Sequence, residues 1–245
     1  MRAQSKAELL SCGAAGPRRK IVALASTLGG LAALLLPSAA LAGDSQLWTG
    51  GSATIKLTDK WSVSQDVTAR FGKERNGLYE IEANTLVGYQ LTKAVSVWIG
   101  YDHDPQYSGG HPTVVEHRLV QHLVSSDLGR LGGGQFSGRV RFEQRWREGL
   151  DGTGWRVRPY VRYSLPLSPG SATSLVLSAE PYFDLNTTAF QTVRGLERLR
   201  SFVGVSTPLA KNASADVGYL NQHGFVREGK DTNDNVAFLS IGLKL

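Results

Sequence analysis

The sequence predicts an all-β chain: an antiparallel up-and-down transmembrane β-barrel of about 10–12 strands, behind a cleaved N-terminal signal peptide. Three observations predict it. Apolar and polar residues alternate with period two in runs of about 11 to 15 residues, longer than sandwich strands usually are. Short turns and longer polar loops take turns between the runs. Seven arginines alternate with large apolar residues over 138–163, on two successive runs across a glycine-rich turn, so one face is oily and the other charged.

The leader comes first. "PRRK" (17–20) precedes an apolar stretch that ends in Ala40-Leu41-Ala42, the small-x-small pattern a signal peptidase requires. Residues 1–42 are therefore expected to be removed and 43–245 to form the barrel. The leader carries five of the 27 basic residues and one of the 21 acidic ones, so its loss lowers the net charge from +6 to about +2. No excess of positive charge then remains to favour nucleic acid. Cys12, the sole cysteine, leaves with the leader. An exported barrel without disulfides is held by backbone pairing and burial.

Along the mature chain, 61–71 sets Trp61, Val63, Val67, Ala69 and Phe71 against Ser62, Ser64, Asp66, Thr68 and Arg70. In 78–91, Tyr79, Ile81, Ala83, Val87 and Tyr89 oppose Glu80, Glu82, Asn84, Gly88 and Gln90. In 94–104, Val95, Val97, Ile99 and Tyr101 oppose Ser96, Gly100, Asp102 and Asp104. Further strands are expected near 113–126, 135–147, 155–167, 173–185, 194–208, 213–225 and 233–245. Longer loops are expected at 72–77, 103–112, 125–134, 148–154, 186–193 and 227–234. Counting back from the C-terminus gives ten strands from Trp61. The segment 46–57 would then be an eleventh, and single-chain bacterial barrels normally have even strand numbers; Gly50-Gly51 is expected to break it into a short strand and a tail, giving ten core strands plus this segment, or into two short strands, giving twelve. Aromatics near strand ends (Trp48, Trp61, Tyr89, Tyr101, Trp146, Trp155, Tyr219) suit interfacial girdles. A secreted sandwich or lipocalin-like barrel is the alternative, with the oily face as its core.

The blocks "QLWTGGSATIKLTDKWSVSQDVTARF", "VEHRLVQHLV", "GRVRFEQRWREG", "WRVRPYVRYSLPL", "LVLSAEPYFDLN", "GLERLRSFVGVSTPL" and "VGYLNQH" keep their order over 45–245. As a set they resemble a proteobacterial family of outer-membrane barrels known only as the twenty-four-ninety domain of unknown function. The resemblance implies export and a barrel in the bacterial outer membrane, and no established activity. The chain ends in Leu245 where such chains often end in an aromatic residue. Alternation still places Leu239, Ile241, Leu243 and Leu245 on one face, as a strand read by the barrel-assembly machinery needs.

Lipid cannot accept the arginines, so alternation turns them inward. The expected basic lumen lining is Arg139, Arg141, Arg145, Arg156, Arg158, Arg162, Arg198 and Arg200. The expected acidic lining is Asp66, Glu80, Glu82, Asp102, Glu116, Glu143, Glu180 and Asp184, with Asp104 and Arg118 beside them. Sequence order is wall order in such a barrel, so an acidic wall should face a basic one. If the lumen is open, this sets a transverse field along a narrow porin-like passage. If it is closed, the same charges bridge and plug a structural or adaptor barrel. A third reading, a lipid-modifying enzyme, finds no G-x-S-x-G elbow. His103, His111, His117, His122 and His223 are scattered. His122 is expected to join Glu116 and Arg118 in a lumen network, and Asp102-His103-Asp104 with His111 is more simply loop decoration than a metal site. No catalytic residue, cofactor or metal is expected. Outer-membrane lipid and the assembly machinery are the partners, and nucleic acid is not. Mirror pairing about the turn near Gly170 places Arg156 opposite Asp184, Tyr160 opposite Glu180 and Pro159 opposite Pro181.

Overall fold

The computed structural model describes residues 43–245; the expected leader and its cleavage point lie outside the described residues. Eleven strands follow in order: β1 (Ser45–Lys56), β2 (Trp61–Gly72), β3 (Gly77–Gln90), β4 (Val95–Ser108), β5 (His111–Leu131), β6 (Gly134–Arg147), β7 (Leu150–Pro166), β8 (Ser174–Asp184), β9 (Gly195–Ala210), β10 (Ala213–Gly224) and β11 (Thr232–Lys244). They close into one barrel in chain order. Every consecutive pair is antiparallel. The closing pair, β1 with β11, is parallel, registered from Ser45↔Asn235 to Thr54↔Lys244. The expected all-antiparallel wall is thus corrected at one seam. The segment containing Gly50-Gly51 is a full strand of the wall, pairing with β2 on one side and β11 on the other. An odd number of strands forces that parallel seam, because the first and last strands then run the same way.

Three expected loops prove to be strand. β4 and β5 extend to a turn at Gly109-Gly110, β5 and β6 to Gly132-Gly133, and β6 and β7 to Glu148-Gly149. Both central residues of the first two turns have positive φ (58° and 82°; 55° and 87°). Glycine adopts this readily, and it matches the twist of the flanking strands. Polar strand ends on these hairpins look like loops when only oily alternation is read.

The outer face carries a belt of exposed apolar side chains running round the wall, among them Val87, Ile99, Leu119, Val140, Val217 and Ile241. Trp61 meets Tyr89 edge-on at 4.9 Å near one rim, and Tyr101, Trp146 and Trp155 are exposed toward the other. Trp48 corrects the girdle expectation: it is 2 % exposed and points inward. It shares the inward face of β1 with Gln46, Ser52 and Thr54, and donates its Nε1–H to Gln46 Oε1 at 2.8 Å. Tyr79, expected on the oily face, is also buried inside. The ladder passes from Arg70↔Glu80 to Phe71↔Leu78, which leaves Tyr79 as the extra residue of a bulge. Around Trp48, the residues Val176, Phe202, Leu220 and Val236 form an internal apolar cluster, with Phe238 packed on it.

The register about Gly170 is as the turn predicted: Arg156↔Asp184 and Val157↔Phe183, resuming at Val161↔Ala179. The interruption falls at Pro159 and Pro181, which lack the N–H a ladder needs. At the β5–β6 hairpin the Tyr163 ring lies over Gly134, where a Cβ would collide with it. Tyr163 donates its hydroxyl to the Leu131 carbonyl at 2.7 Å. Gly134→Ala should displace the ring and cost about 1–3 kcal/mol, measurable as a lower urea midpoint of the folded barrel.

Candidate functional site: a charged circuit inside the barrel

Inward alternation converges a dense set of charges at mid-height. Arg70 on β2 pairs with Glu80 and Glu82 on β3. Arg118 on β5 reaches Glu82 at 3.5 Å, Asp102 on β4 at 2.9 Å and Glu116 at 2.6 Å, and also pairs with Asp104. Arg141 on β6 holds Asp102 at 2.9 Å and Glu143 at 2.6 Å. Arg158 on β7 holds Glu143 at 2.8 Å and Glu180 on β8 at 3.1 Å. Arg158 and Arg200 then lie over the Tyr182 ring at 4.1 and 4.9 Å. Arg200 on β9 also lies over Trp48 on β1 at 4.6 Å, and Arg70 lies over the same ring at 4.4 Å. The contacts form a closed circuit round the lumen, made of ion pairs on one side and cation–π contacts on the other.

Most of the remaining expected lining residues attach to this circuit; Arg162 and Asp66 have partners outside it. Arg139 bridges from β6 to Glu180 at 2.6 Å. Arg145 and Arg147 both take Glu116, at 2.8 Å each. Arg156 holds Asp184 at 2.5 Å and Glu197 at 3.5 Å. Arg162 on β7 spans to Asp216 on β10 at 2.6 Å. Arg198 takes Glu197 at 2.9 Å. Asp66 accepts from the Ser64 hydroxyl at 3.0 Å and lies lower in the lumen. Arg141 of the basic strand β6 thus reaches Asp102 of the acidic strand β4 directly, and Arg158 of β7 joins β6 through Glu143. Of the two arrangements expected for the facing walls, separated or bridged, Arg141 and Asp102 show a bridge. Glu116, Glu143, Asp102 and Asp104 have no exposed surface, so each depends on its guanidinium partners to offset lost hydration.

Some participants escape sequence reading. Glu197 turns inward beside Arg198 because the ladder steps from Tyr182↔Arg198 to Phe183↔Leu196, a bulge that sequence does not announce. Gln191, in the 185–194 loop, folds into the barrel, 2 % exposed. It accepts from Arg145 Nη1 at 2.8 Å and donates to the Asn186 carbonyl at 2.9 Å. Arg147 was legible, since it continues the parity of Arg139 to Arg145. His122 corrects an expectation. It joins neither Glu116 nor Arg118, and its buried Nε2 has no hydrogen-bond partner among the described residues. Asp102 and Asp104 point inward while His103 packs outside against His117, ring centroids 5.6 Å apart, so they form no joint site with His111. Among the described residues no group of three or more candidate ligands is placed to hold a metal. In the 225–231 loop, Asp231 accepts from the Val226 amide at 3.0 Å and from His223 at 3.0 Å. The Val226 hydrogen bond first, then His223, holds its carboxyl below the usual range.

Two cavities flank the charged layer. One, about 490 Å³, opens toward the rim formed by the 73–76, 185–194 and 225–231 connections and includes Arg70, Arg118, Arg158, Tyr182 and Arg200. The other, also about 490 Å³, lies toward the opposite rim and includes Ser64, Asp66, Trp98, His122, Arg139 and Tyr160. They share no lining residue, and Asp102, Arg141, Glu143 and Glu180 line neither.

A family model described as "Protein of unknown function (DUF2490)" matches residues 45–233. An uncharacterized protein of Methylorubrum extorquens is 29 % identical over 180 residues, covering 73 % of this chain and 78 % of that protein. No solved structure matches.

Proposed function

The chain belongs to the DUF2490 family of proteins of unknown function, and on that premise we propose an exported outer-membrane barrel whose lumen is closed at rest by its own charges. Its role is then structural or receptor-like, with a cup at one rim, and it performs no catalysis. Two features favour the bilayer. The exposed apolar belt is continuous round the wall, whereas soluble monomers rarely expose apolar patches beyond a few hundred Å². Closure also leaves no strand edge with orphan amides, the condition for β-structure in lipid. The outer-membrane lipids would be its solvent, and the β11 strand, with Leu239, Ile241 and Leu243 outward, would be the part presented to the assembly machinery.

One observation carries the closed-lumen reading: the circuit floors the first cavity, and its members Asp102, Arg141, Glu143 and Glu180 line neither cavity. Barrels of about eight strands are filled by side chains, and open channels are typical nearer sixteen. Eleven is close to the filled end. Purified barrel in planar bilayers should therefore be silent, and discrete conductance steps from the unaltered chain would overturn the reading. The bilayer placement has its own test. Val140 is 47 % exposed at the centre of β6. Val140→Arg should cost about 2–4 kcal/mol in lipid vesicles, read by urea unfolding; equal stability of variant and parent would remove the membrane.

The flanking cavities give a second reading some ground. Only side chains separate them, so displacing those side chains would join the two into a narrow porin-like passage.

A further inference from the structure

We propose that the cup above the charged layer is an oxyanion site centred on Arg200, taking the phosphate, sulfate or carboxylate group of a small water-borne solute. It deepens the receptor-like reading by naming what the cup receives.

Four guanidinium groups crowd one ring. Arg158, Arg200, Arg156 and Arg198 lie 4.1, 4.9, 5.3 and 5.6 Å from the Tyr182 centroid. Three of them have carboxylates: Glu143 and Glu180 for Arg158, Asp184 for Arg156, and Glu197 for Arg198. Arg200 has none among the described residues. Its Nε donates to Gln222 Oε1 at 2.8 Å, an oxygen that also accepts from Arg198 at 3.4 Å. Gln222 passes its own amide N–H on to Asp234 at 2.9 Å. Both Nη nitrogens of Arg200 lack a protein hydrogen-bond partner among the described residues, and Arg200 lines the cup.

Four of the cup's six carboxylates hold guanidinium groups; Glu74 and Asp234 also line it and hold none among the described residues. Glu80 and Glu82 hold Arg70, Asp104 holds Arg118, and Glu116 holds Arg118, Arg145 and Arg147. Nor is the layer below fully satisfied: Nε of Arg70 and of Arg158 are buried without a hydrogen-bond partner, in residues each 5 % exposed. A surplus cation in a partly desolvated cleft, beside three others, attracts an anion far more strongly than an exposed arginine does. A guanidinium whose two Nη groups are free presents the fork that grips an oxyanion in bidentate fashion. The cup opens inside the ring of strands, away from the oily belt, so a dissolved solute reaches it more directly than a lipid headgroup does.

Inorganic phosphate is the probe, added to the detergent-folded full barrel at constant ionic strength against chloride. Titration calorimetry should show saturable heat, and the melting temperature should rise with phosphate. Arg200→Gln should weaken binding about tenfold or more, the loss of one charge-assisted pair. Lys211→Gln, in the distant β9–β10 turn, should leave it unchanged. Glu197→Gln, which releases Arg198, should tighten it roughly threefold or more. No heat and no melting shift in the parent at millimolar phosphate overturns the proposal, as does parental affinity in Arg200→Gln. Should Arg200→Gln fail to fold, Glu197→Gln decides, and unchanged affinity there overturns the site. Binding is read in detergent, so phosphate affinity together with conductance in bilayers would sink the closed lumen and leave the anion site standing.

Discussion

Glu116→Ala is expected to be the most destabilising single substitution in the barrel, costing about 3–5 kcal/mol. Glu116 is fully buried and serves three guanidinium groups. It accepts from Arg118 Nε at 2.6 Å, from Arg145 Nε at 2.8 Å and Nη2 at 3.0 Å, and from Arg147 Nη2 at 2.8 Å. Removing the carboxylate leaves those cations facing one another in a site poor in water. Arg118 retains Asp102 and Asp104, whereas Arg145 and Arg147 have no other carboxylate among the described residues. Arg145 keeps only the neutral Gln191 oxygen and the face of Phe190, 5.8 Å away. The penalty should therefore fall chiefly on β6 and on the 185–194 loop it anchors. Urea unfolding should show the lowered midpoint, and hydrogen exchange should rise first around Gln191. Glu116→Gln keeps the shape and loses the charge, so it should fall between the two. A cost below about 1 kcal/mol, the range of exposed ion pairs, would mean that water from the cup solvates these arginines as well as the carboxylate does.

The double substitution Asp102→Ala/Arg141→Ala should turn a silent barrel into a conducting one. The two residues bridge β4 and β6 at 2.9 Å and lie between the two cavities. Removing both keeps the net charge unchanged. The charges left behind keep partners: Arg118 retains Glu116 and Asp104, and Glu143 retains Arg158 at 2.8 Å. The wall should therefore survive while the layer thins. Planar bilayers should show discrete openings, sensitive to salt because the exposed walls are charged. Arg141→Ala alone should conduct less and unfold more easily, because Asp102 then loses one of its two cations. Continued silence from a well-folded double variant would place the obstruction elsewhere, with the apolar cluster around Phe202 and Val236 the next layer to remove.

Much of this was legible in the chain, for a physical reason. A strand has a strict period of two, so Arg139, Arg141, Glu143 and Arg145 had to share one face, and lipid or water then decides which way that face turns. The register near Gly170 was legible because a tight turn mirrors the sequence about itself. What stayed hidden lies outside both rules. Glu197 and Tyr79 are inward because bulges insert a residue into the count. Gln191 comes from a loop, where no period applies. The hairpin at Gly109-Gly110 extends past the oily belt, where polar alternates with polar, and the arm leading to Gly132-Gly133 breaks register between Ser125 and Gly129, so neither left a trace of period two. Trp48 was within reach, since Gln46, Ser52 and Thr54 share its parity, but an aromatic near a strand end reads as an anchor. The strand number depended on how β1 pairs, and alternation within a strand says nothing about its neighbour.

The parallel seam has a topological result. An odd ring cannot bring its first and last residues to the same side: β1 starts at Ser45, beside the 73–76 and 225–231 connections, and β11 finishes at Lys244, beside the 57–60 and 211–212 connections. In the bilayer placement proposed above, epitopes fused just before Ser45 and just after Leu245 would therefore report from opposite compartments, and an antibody applied to intact cells would see one and miss the other.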